Sequence, residues 1–206
     1  MGTRGAFGYR IDGADKVAYN HFDSYPDGLG RTMLEYIGAH TAEQMAEAAR
    51  RIVLVGEDES PPPEMVDRYA RYANRGMGWG VDNGKPTHWY TLLREAQGEP
   101  KAFHDGLDHM IDGAAFLADS LFCEWAYIVN LDDGALEVYR GFQRAKGKGR
   151  YAHLHRKNRD GTDNTEYFGV SLLDAVPLDK LRGLSAGDVQ ALCDRWEKLA
   201  SPEGEE

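Results

Sequence analysis

Apolar and polar residues alternate at short spacing over residues 4–11 (RGAFGYRI) and 17–22 (VAYNHF), with the turn-forming run DGADK between them. This pattern predicts a β-hairpin, because strand side chains point alternately to opposite faces and Asp-Gly suits a tight reversal. Gly5 and Gly8 fall inside the first strand, where a missing side chain marks close approach by another backbone, so this strand is expected to be central. The most legible alternation is LFCEWAYIVNLDDGALEVYRGFQ, residues 121–143, which predicts a second hairpin turning at Asp132-Asp133-Gly134. YAHLH (151–155) and YFGVSLLDAVP (167–177) are read as two further strands, with a polar turn between them.

A period of three to four marks the helices. Met33, Leu34 and Ile37 predict one from about Leu29 to Gly38. TAEQMAEAARRIVLV, 41–55, predicts another, opened by Thr41 with Gln44 as its capping-box partner and ended by Gly56. EDESPPP, 57–63, reads as an exposed linker, and Met65, Tyr69 and Tyr72 share one side of a helix after it. A glycine-rich loop at 75–86 and a short helix at 87–98 complete a helical excursion spanning 57–98. Residues 101–121 fit either one helix broken near Gly106 and Gly113 or a short helix plus a turn. A helical turn at 177–181 leads to a C-terminal helix at 185–200, capped by Ser185 with Asp188. Val189, Leu192, Cys193, Trp196 and Leu199 make its apolar face, and 201–206 form a frayed acidic tail. Strands in antiparallel-type pairs, with helices before and after, predict an α+β fold: an antiparallel or mixed sheet flanked by helices, in a single domain covering 1–206.

Composition narrows the function classes. A chain of 206 residues can bury roughly 70% of its unfolded surface. A net charge of -10 argues against non-specific binding to nucleic acid or to an anionic membrane. Two cysteines, Cys123 and Cys193, make neither a disulfide framework nor a four-ligand zinc site and are expected to be reduced core thiols. No apolar run approaches the ~20 residues that span a bilayer. The start has neither a signal-peptide pattern nor a myristoylation pattern, since Ala6 stands where Ser or Thr is required. A cytoplasmic protein is expected.

The candidate chemistry concentrates behind the first hairpin. Asn20, His21, Asp23, Ser24 and Tyr25 crowd the end of its second strand, a position that favours binding and catalytic groups. On a continuing strand His21 and Asp23 share a face, so Asp23 can orient the imidazole; the alternative is ordinary turn chemistry before a helix. Gly28 and Gly30 can admit a phosphate to that helix or simply shape the turn; no full phosphate-loop or dinucleotide pattern is present. His104, Asp105, Asp108, His109 and Asp112 are the densest set of potential metal ligands, four of them sharing a face if the segment is helical. A solvated acidic face is the simpler reading, and neither a metal nor another cofactor is expected. His153 and His155 alternate on an expected strand, and RAKGKGR with Arg156, Lys157 and Arg159 forms a basic loop.

Two resemblances follow from quoted runs. MGTRG with YNHFDSYPDGLG, FCEWAYIVNLDDGALEVYRGFQ and YFGVSLLDAVPLDKL resembles a group of uncharacterised bacteriophage and bacterial proteins across most of the chain. That likeness implies a phage or prophage accessory protein and supplies no activity; the first expectation is a non-enzymatic protein of the host cytosol that binds a host protein or small-molecule ligand. An early Gly2-Thr3, a strand, a tight turn and a second strand ending in polar residues are similar to the start of N-terminal nucleophile hydrolases. This second resemblance implies a layered sandwich of antiparallel sheets and helices. It also implies amide hydrolysis by Thr3 once the Gly2–Thr3 bond is cut, with the new α-amine as base and Asn20 or Asp23 in support. Independently of that resemblance, Arg4, Ser24, Tyr25, Gly28 and Gly30 are the candidate ligand-binding residues. A metal-dependent enzyme built on 104–112 stands third.

Overall fold

The computed structural model describes residues 2–74, 80–158 and 160–201. Part of the loop expected at 75–86, Arg159 of the basic run and nearly all of the acidic tail lie outside the described residues. Asp12 and Gly13 both have positive φ, 51° and 76°, which gives a two-residue hairpin turn between β1 (Gly5–Ile11) and β2 (Ala14–Asn20). The reversal is tighter than DGADK suggests, and Ala14, Asp15 and Lys16 already belong to β2. After the hairpin come α1 (Arg31–Ala39), α2 (Ala42–Arg51), β3 (Val53–Val55) and α3 (Pro63–Arg68). A small antiparallel pair follows, β4 (Val81–Asp82) with β5 (Lys85–Pro86), then α4 (Trp89–Leu92), α5 (Pro100–His104) and β6 (His109–Ile111). The chain then makes β7 (Trp125–Asn130), β8 (Ala135–Arg140), β9 (Ser171–Pro177) and α6 (Ala186–Ala200).

The main sheet is mixed and five-stranded, in the order β2-β1-β7-β8-β9, with only the β1–β7 pair parallel. This is the α+β arrangement expected from the strand pairs, and β1 lies inside the sheet. A Cβ on Gly5 would overlap the Trp125 carbonyl, and one on Gly8 the Lys16 carbonyl, so both glycines mark close backbone approach. One face of the sheet presents Phe7, Tyr9, Tyr127, Val129 and Val138 to Met33, Leu34, Ile37, Met45 and Trp196 of the helices. The other presents Ala6, Val17, Ala126, Ile128 and Tyr139 to Leu117, Tyr151 and Val170, which sit on turns and coil. The layering is therefore one large sheet between a helical face and a coil face. The stacked large sheets implied by the nucleophile-hydrolase resemblance do not form among the described residues, whose other sheets have two strands each.

Several elements differ from the sequence pattern. The helix expected over 41–55 stops at Arg51, because Ile52 turns extended (φ -64°, ψ 123°) and the β-branched run after it pairs in parallel with β6. The segment 101–121 is a short helix, a turn at Gly106 (φ 100°), a strand and a further helical turn, so the ligand set 104–112 does not share a helix face. YAHLH is a turn: the Leu154 amide donates to the Tyr151 carbonyl and His153 is exposed. The late strand begins at Ser171, and Leu199 is exposed on α6. Within 57–98, Val66, Tyr69, Trp89, Leu92 and Leu93 join the same core cluster as the helical face.

Candidate functional site

β2 ends at Asn20, and the loop behind it is tied down from several sides. The Asn20 side-chain amide donates to the Ser24 hydroxyl at 2.8 Å and to the Phe22 carbonyl. The Ser24 amide donates to the Thr3 carbonyl (3.0 Å), the Leu29 amide to the Asp23 carbonyl (2.8 Å) and the Tyr127 hydroxyl to the Ser24 carbonyl (3.1 Å). Asp23 has φ 52°, so strand alternation has stopped before it. His21 and Asp23 consequently do not pair; the His21 Nδ1 lies 2.7 Å from the Tyr19 hydroxyl instead. Burial, then the Arg94 and Arg4 charges, hold the His21 imidazole below its ordinary pKa.

Gly28 and Gly30 belong to a wide helical turn, Pro26–Gly30, that runs straight into α1. A Cβ on Gly28 would overlap the Asp23 carbonyl, and one on Gly30 would meet the Tyr127 ring at 3.0 Å. The Arg31 amide donates back to carbonyls of that turn, so Gly28 and Gly30 are accounted for by close packing. Ser24 is fully buried and Tyr25 is exposed. Arg4 lies over the Phe122 ring at 4.9 Å, and its carbonyl accepts from the Glu124 amide.

Two hollows flank this end of β2. The first is a polar cleft of about 570 Å³ that gathers Asn20, His21, Asp23, Gly28, Arg31 and Arg94. Thr3, Arg4, Ser24, Tyr25 and Gly30 are not among its lining residues. The second is a cavity of about 440 Å³ with an apolar wall that includes Leu93, Phe103, Leu107, Met110 and Phe116. Its space follows from small residues: Ala18, Ala96, Gly113 and Ala115 also line it, and a Cβ on Gly113 would lie 2.8 Å from the Tyr19 amide nitrogen. Gln97 lines both hollows, and the Tyr19–His21 hydrogen bond joins a cavity residue to a cleft residue. Arg94 stands over both the Phe22 ring (5.9 Å) and the Tyr90 ring (5.7 Å), beside that junction.

The charged residues that line the cavity are Glu57, Asp112, Asp119 and Arg156. Asp119 pairs with Arg156 at 3.1 Å; burial raises its carboxyl above the ordinary value, with Arg156 opposing. Burial likewise pushes the Tyr19 hydroxyl up, against the Arg4 and Arg94 charges. His109 lines the cavity from β6, and its Nδ1 lies 2.7 Å from Asp108 Oδ1. The Tyr69 hydroxyl donates to the same carboxylate oxygen, and Arg68 donates to the other at 3.0 Å. Burial favours the protonated Asp108 carboxyl, but the bonds from Tyr69, His109 and Arg68 outweigh it and hold the pKa below the ordinary value. Its own burial, and then the bond to Asp108, push the Tyr69 hydroxyl up to about 12.

Comparison with models of known protein families, with curated proteins and with solved structures finds no match to this chain. The site must therefore be read from its own geometry. Among the described residues no three His, Cys, Asp or Glu side chains gather to hold a metal ion. His104 packs against His40 with ring centroids 4.0 Å apart and planes tilted by 52°, and burial followed by the His40 charge lowers its pKa. His155 bonds the Asn164 carbonyl (3.1 Å) rather than sharing a site with His153. Cys123 and Cys193 are free and buried, and burial raises both thiols. No helix among the described residues is long and apolar enough to cross a membrane.

Of the residues singled out at the end of β2, Asn20, His21, Asp23 and Gly28 line one cleft; the cavity beside it had no counterpart in the sequence pattern. Tyr19, Arg94 and Gln97 carried no motif. Asp108 and His109 stood out only as metal ligands on a helix that does not form.

Proposed function

We propose that this chain is a non-enzymatic binding protein for a small apolar molecule, held in the cavity between β2, β6, α5 and the turns at 94–96 and 114–118. The observation that carries this reading is the preformed apolar space of about 440 Å³ beside the sheet edge. Its size falls in the range of small-molecule sites, about 300–1,000 Å³, and its mostly apolar wall with a few placed polar groups has their usual make-up. Such a site gains affinity from burial of ligand surface and orientation from its polar groups. This is the small-ligand form of the accessory role implied by the phage resemblance.

Ala115 lines the cavity yet is exposed, so a larger side chain there can fill the opening without entering the core. A neutral environment-sensitive dye, N-phenyl-1-naphthylamine, is expected to bind the native protein saturably with one site per chain. Ala115→Trp should weaken that binding by tenfold or more while leaving the thermal midpoint within a few degrees. Absence of saturable binding by the native protein, or unchanged affinity in the folded variant, would overturn the proposal.

A further inference from the structure

Among the polar groups of the cavity wall, His109 has a ring whose orientation is fixed and one nitrogen that is unused. His109 opens β6, and its ring stacks on Trp89 with centroids 4.9 Å apart and planes 13° from parallel. Its Nδ1 faces Asp108 Oδ1 at 2.7 Å and the Tyr69 hydroxyl at 3.1 Å. Tyr69 gives its own proton to Asp108, and Arg68 holds the second carboxylate oxygen. An ionised carboxylate only accepts hydrogen bonds, so the proton between it and the ring belongs to Nδ1. In the neutral imidazole that leaves Nε2 as an acceptor. Among the described residues Nε2 has no hydrogen-bond partner. The side chain is 16% exposed, and the residue lines the cavity.

We propose that the cavity selects an apolar ligand bearing a hydroxyl group, whose proton is accepted by Nε2 of His109. This inference rests on the cavity reading above and adds the chemical class of the ligand. Asp108 is the positioning residue: it fixes which nitrogen carries the proton, while Tyr69, Arg68 and Trp89 fix the plane of the ring. A hydroxyl buried in an apolar pocket without a partner pays its full desolvation cost, so one acceptor in such a wall separates alcohols and phenols from their ethers.

The test uses 2-naphthol and its methyl ether, 2-methoxynaphthalene, titrated into the full chain at neutral pH and followed by ligand fluorescence. The native protein is expected to bind the naphthol about tenfold tighter than the ether, the factor one satisfied buried hydrogen bond supplies. His109→Phe should bind both with similar affinity. Asp108→Asn presents an amide that can donate to Nδ1 and so moves the ring proton to Nε2. That variant should lose the preference while keeping its affinity for the ether, an outcome that general loosening of the fold would not give. Equal binding of the two probes by the native protein would overturn the hydroxyl selection and leave the cavity reading standing, as would a preference that survives in Asp108→Asn. If neither probe binds and the neutral dye also fails, the cavity reading falls and this inference with it.

Discussion

The two faces of the five-stranded sheet are held by different physics. The helical face is apolar: Phe7, Tyr9, Tyr127 and Val138 pack on Met33, Ile37 and Trp196, nearly all of them fully buried. The coil face has a buried carboxylate among its apolar residues. Glu137 is 8% exposed; its Oε1 accepts from Arg150 (2.6 Å) and Asn130 (2.8 Å), and its Oε2 from the Tyr139 hydroxyl (2.7 Å). A helix presents a stripe that packs by shape and area, with no single indispensable atom. Turns and coil have no such stripe, so directional bonds position the segments that cover the second face. The first arrangement should lose stability in proportion to volume removed, the second through groups left without partners.

Trp196→Ala gives the largest expected loss. The side chain is fully buried and its Nε1–H donates to Asp174 at 2.8 Å. Removal should destabilise the protein by about 3–5 kcal/mol, the usual cost of deleting a large core aromatic. A denaturant midpoint shift worth under about 1 kcal/mol would show that α6 is not part of the core. On the coil face, Glu137→Ala removes less volume but leaves the buried Tyr139 hydroxyl without its acceptor and takes one partner each from Arg150, which keeps Asp15 and Tyr151, and Asn130, which keeps Asp133; it should cost about 3 kcal/mol. Glu137→Leu combined with Arg150→Met takes away both charges together and should recover a large part of that loss. If the double variant is as unstable as Glu137→Ala, volume governs this face too and the contrast between the faces fails.

The contrast also explains what was legible in the sequence. Both capping boxes, Thr41 with Gln44 and Ser185 with Asp188, form as their spacing predicts, because a cap is satisfied within one turn of chain. Asp12-Gly13 and Gly134 turn the two hairpins for a similarly local reason. The coil face had no period to read. YAHLH alternates like a strand, yet its backbone bonds close locally and it becomes a turn. Val53 to Val55 continued a helical pattern, yet pairing with β6, more than fifty residues away, makes them a strand. The candidate site divides in the same way. Asn20, His21 and Asp23, which line the cleft, stood out because a polar cluster at a strand end is a local signal. The cavity is a gap left by Ala18, Ala96 and Gly113 from three separate segments, and no local signal encodes a gap. His109 was visible, but its role depends on Tyr69, 40 residues away.

The smallest effect should be electrostatic, and it sets two aspartates against each other. Asp108 lies beside Tyr69 of the helical core, and its folded pKa is below the ordinary value of 3.8. Its contribution to stability is present above that value and is lost as pH falls through the lower folded value. Asp119 lies beside Leu117 and Cys123 of the coil face, and its folded pKa is above 3.8 because burial outweighs Arg156. Its contribution is present below 3.8 and is lost as pH rises through the higher folded value. The two groups therefore tilt stability in opposite directions across the acid range. Asp108→Asn should flatten the rise of thermal midpoint with pH below about 4, and Asp119→Asn should steepen the rise just above it. Melting curves collected between about pH 3 and pH 6 check both signs at once. Two variants that change the slope in the same direction would mean that Arg156 dominates Asp119. The coil face would then hold this carboxylate as the helical side holds Asp108, by its partners and against burial.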